Sequence, residues 1–210
     1  GGLYVPEEIP QVDARAWVNL PFLPLAVQVI SAILPGISSM ETLVERAYTG
    51  KFSSPEVTPT VKAGPFTVLE LFHGPTSAFK DVALCMLPQL LTAAKAQEGM
   101  KEDILILTAT SGDTGKAALE GFRDVPGVKI CVFYPEGGVS QVQEAQMVTQ
   151  EGRNVFVFGV KGNFDDAQSG VKHIFAAADH RRLSTANSMN LGRLAPQITY
   201  YFKAYGDLLK

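Results

Sequence analysis

From Met100 onward, short apolar runs alternate with amphipathic stretches. Ile104–Ala109, Val128–Tyr134, Asn154–Val160 and Leu183–Ser188 read as strands, the first as a continuous apolar run of the kind that is buried on both faces. Between them Gly115–Phe122, Ser140–Gln150 and Asp165–Ala178 read as helices, and a last helix follows Ser188. Strand and helix in alternation predict an α/β protein: a parallel sheet with flanking helices, its ligands gathered at the carboxyl ends of the strands. The first 62 residues differ in kind. Proline-rich turns surround one helix at about Leu25–Leu34 and a second at Ser39–Tyr48, capped by Ser38 or Ser39. Val68–Phe72 reads as a strand. Ala78–Ala96 then carries Val82, Met86, Leu90 and Ala94 at helical spacing, with a kink expected at Pro88.

Between that strand and that helix stands the most informative segment, His73-Gly-Pro-Thr-Ser-Ala-Phe-Lys-Asp-Val82. Gly74-Pro75 is turn chemistry, and Thr76 or Ser77 can cap a helix, which places Lys80 in its first turn. An amine at the positive end of a helix and beside an aromatic wall suits Schiff-base formation, which consumes the neutral amine. Taken alone, Lys80 reads more readily as a solvated surface lysine.

Two further segments change the balance. Ser111-Gly-Asp-Thr-Gly115 is a glycine turn between a strand and a helix, where free backbone N–H groups bind anions. The bland alternative is an ordinary turn capped by Ser111 or Thr114. In Ser184-Thr-Ala-Asn-Ser-Met-Asn-Leu-Gly-Arg193, Asn187, Ser188 and Arg193 can all donate to a phosphate or carboxylate, the arginine as a fork. Capping by Ser188 or Asn190 plus a surface arginine is the competing reading. Gly162-Asn163-Phe164 has the look of a phosphate loop, but Asp165 and Asp166 follow at once, so a helix start with Asp165 as N-cap is expected there. His73 is read as structural, and Tyr200, Tyr201, Phe202 and Tyr205 as a packed helix face.

Together these segments resemble the threonine synthases, pyridoxal 5'-phosphate (PLP) enzymes of the tryptophan-synthase-β-like fold group. Leu71–Asp81 is similar to the family's cofactor-lysine segment, Thr108–Gly115 to its substrate-binding loop, and Asn187–Arg193 with Pro196–Phe202 to its substrate-phosphate segment. The likeness extends to Gly1–Glu7 and Gly162–Gln168, so it runs the length of the chain, in order. It implies conversion of O-phospho-L-homoserine and water to L-threonine and phosphate. Lys80 is then the catalytic and cofactor-bearing lysine, and Asp113 falls near the cofactor ring hydroxyl, where many relatives have Asn. Ser111, Gly112 and Thr114 face the substrate carboxylate, and Asn187, Ser188 and Arg193 hold its phosphate.

The resemblance also implies two domains. Residues 1–100 belong to a larger one, 101–185 form a smaller βα domain, and 186–210 return to the larger, which is expected to be incomplete. A chain of this extent is expected to bind PLP weakly, to be inactive by itself, and to self-associate through apolar faces around Phe22, Leu25, Val29 and Tyr201.

Composition narrows the remaining classes. A net charge of −3 with scattered Lys and Arg excludes a nucleic-acid partner, and 46% hydrophobic with 19% charged residues is globular. Ala16–Ile37 is apolar, but Pro21, Pro24, Asn19 and Gln28 interrupt it, so a packed helix is expected and no membrane span. Acidic Glu7, Glu8 and Asp13 precede that stretch without a basic lead, unlike a signal peptide. Cys85 and Cys131 lack metal spacing and read as buried free thiols of a cytoplasmic protein; no metal is implied. The rival readings are a PLP-dependent dehydratase or lyase acting on a phosphohomoserine- or threonine-like substrate, and a non-catalytic α/β phosphate-binding module.

Overall fold

The structure, a computed structural model, describes residues 5–177 and 182–210. The chain divides into two compact units. One holds the residues up to Ala94 with Met189–Lys210, and the other Lys95–Ser188.

The first unit is helical, with one hairpin. Helices α1 (Phe22–Ile33), α2 (Met40–Tyr48), most of α3 (Asp81–Gln97) and α7 (Leu191–Leu208) surround a core that includes Phe22, Ile30, Val44, Val82, Met86 and Tyr200. Tyr48 is central to it. Its ring meets Phe22 edge-on at 5.3 Å, and its hydroxyl, pushed well up in pKa by burial, donates to the Val82 carbonyl at 2.8 Å. Ser39 does precede α2, but in the left-handed region (φ 57°) and without a side-chain cap bond. The hairpin pairs β1 (Thr60–Ala63) with β2 (Phe66–Leu69) across Gly64, whose φ of 60° suits glycine. β1 is a short, mostly exposed strand, and so it shows no periodicity.

Phe22, Leu25 and Val29 are each only 2% exposed, so the apolar faces expected to lie open around them are covered within this unit; Tyr201 alone of that set is exposed. The aromatic face of α7 also divides. Tyr200 is buried and Phe202 meets Trp17 at 5.4 Å, whereas Tyr201 and Tyr205 face outward, because consecutive positions on a helix cannot share one buried stripe. Among the described residues no helix is long and apolar enough to cross a membrane.

The buried Lys203 closes this unit, donating to Glu56 Oε2 at 3.1 Å and to Asp207. Asp207 also accepts from Thr60 Oγ1 at 3.0 Å and Lys210 Nζ at 3.1 Å. Burial pushes its carboxyl up, but the bonds from Lys203, Lys210 and Thr60 outweigh this and hold it below the usual aspartate value. A depressed carboxylate contributes stability above its unfolded pKa and loses it as pH falls through the folded value. Asp207→Asn is therefore expected to cost about 1–3 kcal/mol at neutral pH, with the gap to the parent closing below about pH 4. Thermal unfolding of both proteins across that range checks it; a gap independent of pH would reject the ion pair as its source.

The second unit is the expected parallel sheet. Strands β3 (Ile104–Ala109), β4 (Val128–Pro135), β5 (Val155–Val160) and β6 (Leu183–Ser184) lie in the order β5-β4-β3-β6. Alternate residues define its faces. Leu107 and Ala109 pack with Ala167 and Val171 of α6 (Phe164–Ala177), while Val132, on the other face, meets α4 (Asp113–Phe122) at Gly115. α5 (Gln141–Val148) follows β4, and Ser140 is its N-cap. Several boundaries move. β6 stops at Ser184 and does not reach Ser188, since it pairs with β3 only at Leu105 and Ile106. Asn163, not Asp165, caps α6: its Oδ1 accepts from the N–H of Asp165 at 2.8 Å and of Asp166 at 3.1 Å. The expected helix end at Ala178 lies outside the described residues. Cys85 is buried, but Cys131 is half-buried, its thiol pushed up in pKa by burial.

Candidate functional site

Lys80 sits one residue before α3 and outside its first turn, its carbonyl accepting from the N–H of Ala83 at 3.1 Å and Leu84 at 2.8 Å. The turn that delivers it is wrapped around the buried Asp81. Thr76 donates to Asp81 twice, from its N–H to Oδ2 at 2.8 Å and from its hydroxyl to Oδ1 at 2.5 Å. Gly74 leaves room for that carboxylate: a Cβ there would come within 2.4 Å of Asp81 Oδ2. Ser77 takes φ 57° and donates its N–H to the Gly74 carbonyl at 3.1 Å, closing the turn. Lys80 Nζ lies 4.3 Å from the centre of the Phe79 ring. Upstream, the His73 ring is a strut, with Nε2 2.7 Å from Glu70 Oε2 and Nδ1 3.0 Å from Ser53 Oγ.

In the other unit, Ser111–Thr114 joins β3 to α4. Thr110 organises it. Its buried hydroxyl accepts from the N–H of Gly112 at 3.0 Å and of Gly115 at 2.9 Å, so these amides, expected to face an anion, are already engaged. Gly112 adopts φ 143°, ψ −100°, open to glycine alone, and Asp113 begins α4. Asp113 Oδ1 accepts from Gln143 Nε2 at 2.8 Å. Neither Thr110 nor Gln143 was expected from the sequence, although Ser140-x-x-Gln143 has the spacing of a capping box.

Sheet order places this loop. The chain steps from β3 to β4 to β5 on one side and returns to put β6 on the other side of β3, so the order reverses between β3 and β6. Open parallel sheets bind ligands outside the carboxyl ends of strands at such a reversal. Ser111, Gly112, Asp113 and Thr114 follow β3 there, and Asn187 and Ser188 follow β6, with the Asn187 N–H donating to Thr185 Oγ1 at 3.2 Å. Gly162–Phe164 is no phosphate cradle, since the Asn163 N–H is taken by Asp166 Oδ2 at 2.8 Å.

Arg193 belongs to the first unit with Lys80. It lies in the first turn of α7, capped by Asn190, whose side chain accepts from the Gly192 N–H at 2.9 Å. Gly192 lets α7 press on α3, a Cβ there coming within 2.9 Å of Leu87. Leu87 is about 10 Å along α3 from Lys80. Arg193 is only 2% exposed, and burial pulls its guanidinium below the usual arginine value, against the pull of Tyr200. Tyr200 is itself pushed up to about 12, chiefly by burial and by the Tyr201 hydroxyl. A buried guanidinium is costly unless an anion or hydrogen-bond acceptors compensate it.

A reversing parallel sheet with chemistry-bearing loops at its switch point, joined in sequence to a helical unit that presents a lysine at a helix start, defines a doubly wound α/β protein with polar side chains where such sheets bind ligands. No family model matches the chain. It is 40% identical over 228 residues to a threonine synthase of Schizosaccharomyces pombe, covering 100% of this chain and 44% of that protein. It is 42% identical over 214 residues to that of Pseudomonas aeruginosa, covering 97% and 45%. The crystal structure of PLP-bound threonine synthase from Brucella melitensis superposes with a TM-score of 0.87 at 40% identity, over 99% of this chain and 46% of that one. Along essentially its whole length the chain is similar to threonine synthases, and it spans under half the length of these relatives.

Proposed function

We propose that the full-length protein is a cytoplasmic threonine synthase, converting O-phospho-L-homoserine and water to L-threonine and phosphate with PLP, and that Lys80 is its cofactor-bearing lysine. The Lys80 turn carries this reading: a primary amine, half-buried against an aromatic ring, delivered to a helix start by a turn built on a buried carboxylate. That donor chemistry fits PLP, which supplies an electron sink for carbanion chemistry when bound. Lys80 Nζ then holds and moves protons at the substrate carbons, one base serving successive transfers. Ser111 and Thr114 orient the substrate carboxylate from the loop that Gly112 turns, Gly112 itself donating no bond because its N–H is held by Thr110, and Asp113 lies near the cofactor ring hydroxyl. Asn187, Ser188 and Arg193 hold the substrate phosphate and stabilise it as it departs.

The discriminating experiment supplies O-phospho-L-homoserine, threonine and serine separately to the full-length holoenzyme. Phosphate and threonine from the first supports the proposal; ammonia from the others, without phosphate release, identifies a dehydratase. Arg193→Ala is expected to raise KM for the phosphorylated substrate and to lower kcat, because a charge-assisted contact to a leaving phosphate strengthens as charge develops. Its loss is worth about 1.5–3 kcal/mol, roughly tenfold to a hundredfold in kcat/KM. Steady-state kinetics with kcat/KM unchanged would remove Arg193 from the site.

A further inference from the structure

Gln143, outside the assigned residues, reaches the Ser111–Gly115 loop from a separate helix, donating from Nε2 to Asp113 Oδ1 at 2.8 Å. Its Oε1 accepts from the Ser140 N–H at 3.2 Å and the Ser140 hydroxyl at 3.1 Å, and its own N–H donates to Ser140 Oγ at 3.3 Å. Those bonds fix which way the amide faces. The carbonyl oxygen is spent on the cap of α5, so the NH₂ end must point at Asp113, whose ionised carboxylate can only accept. The same side chain lies over Gly112, where a Cβ would come within 2.4 Å of Nε2 and 2.5 Å of Cδ. One amide thus bonds the carboxylate at 113 and packs over the backbone at 112, from a helix thirty residues downstream.

We infer that Gln143 is a positioning residue for the reaction, clamping Asp113 and the glycine loop to the start of α5 and so setting where that carboxylate stands. The inference rests on the reading that Asp113 lies near the cofactor ring. Chemistry at the ring is sensitive to the placement of such a group, so a misplaced Asp113 changes the cofactor's absorption and kcat while leaving substrate affinity largely intact.

The test uses the full-length protein and exploits the polarity of the bond. Gln143→Glu sets one carboxylate against another, whereas Asp113→Asn in that background restores a bond with donor and acceptor exchanged. Gln143→Glu is expected to lower kcat about tenfold, with KM little changed, and to shift the visible band of bound PLP. The double variant is expected to return kcat and band to those of Asp113→Asn alone. In the apoprotein, melting temperatures of the four forms are expected to show coupling between the two positions. Zero coupling, or a double variant no better than Gln143→Glu, overturns the clamp. Coupling with an absorption band that none of the variants moves supports the clamp and instead overturns the placement of Asp113 at the cofactor.

Discussion

Lys80→Ala in the full-length protein is expected to abolish covalent PLP attachment and threonine formation together. Borohydride reduction of the parent followed by peptide mass spectrometry will find the cofactor on Lys80, and the variant will carry it nowhere. The reason is geometric. The next lysine along α3 is Lys95, about 22 Å further down the helix axis, and its Nζ is bonded to the Gly127 carbonyl at 3.0 Å. No flexible stem spans that distance. A variant that retains the visible absorption of bound cofactor and near-parental turnover would remove Lys80 from the reaction.

The second large effect is on stability. Gly115→Ala improves helix propensity by about 1 kcal/mol, so an exposed glycine in α4 would gain from the change. Gly115 is buried, however, and a Cβ would stand 2.6 Å from Thr110 Cγ2, 2.7 Å from Met147 Sδ and 3.0 Å from Val132 Cγ1. Met147 has no exposed surface to retreat into. Packing outweighs propensity, with overpacking of this kind costing about 1–3 kcal/mol. Urea unfolding should show a lower midpoint with an unchanged slope; a raised midpoint would mean that Met147 swings aside freely.

Much of this was legible in the chain itself, for a reason that also marks where legibility stopped. Ile104–Ala109 and Val128–Pro135 are strands because apolar runs of that length bury on two faces, and sequence periodicity reports burial. Periodicity says little about ends. Lys80 falls one residue outside α3 because the Asp81 carboxylate holds Thr76 and draws the preceding residues into the turn. Asn163 takes the cap from Asp165 because its amide oxygen reaches two amides at once. β6 is cut to two residues by the extent of its pairing with β3. Thr110 and Gln143 were missed for two further reasons. Gln143 reaches Asp113 across thirty residues, outside any window of local sequence, whereas Thr110 bonds only two and five residues ahead but reads as the end of an apolar strand until the turn is folded.

The pairing of Gly74 with Asp81 constrains how this turn can change over generations. An alanine at 74 overlaps the carboxylate while Asp81 is present, and an apolar residue at 81 strands the Thr76 donors while the turn keeps its shape. Neither substitution relieves the other, because a Cβ at 74 would also stand 2.4 Å from the Asp81 Cβ, which every residue but glycine carries. A lineage moving by single replacements therefore meets a fitness valley between this turn and any alternative, and drift can cross it only through a poorly folded intermediate. The residues around the lysine would then be held in place by their mutual dependence as much as by chemistry.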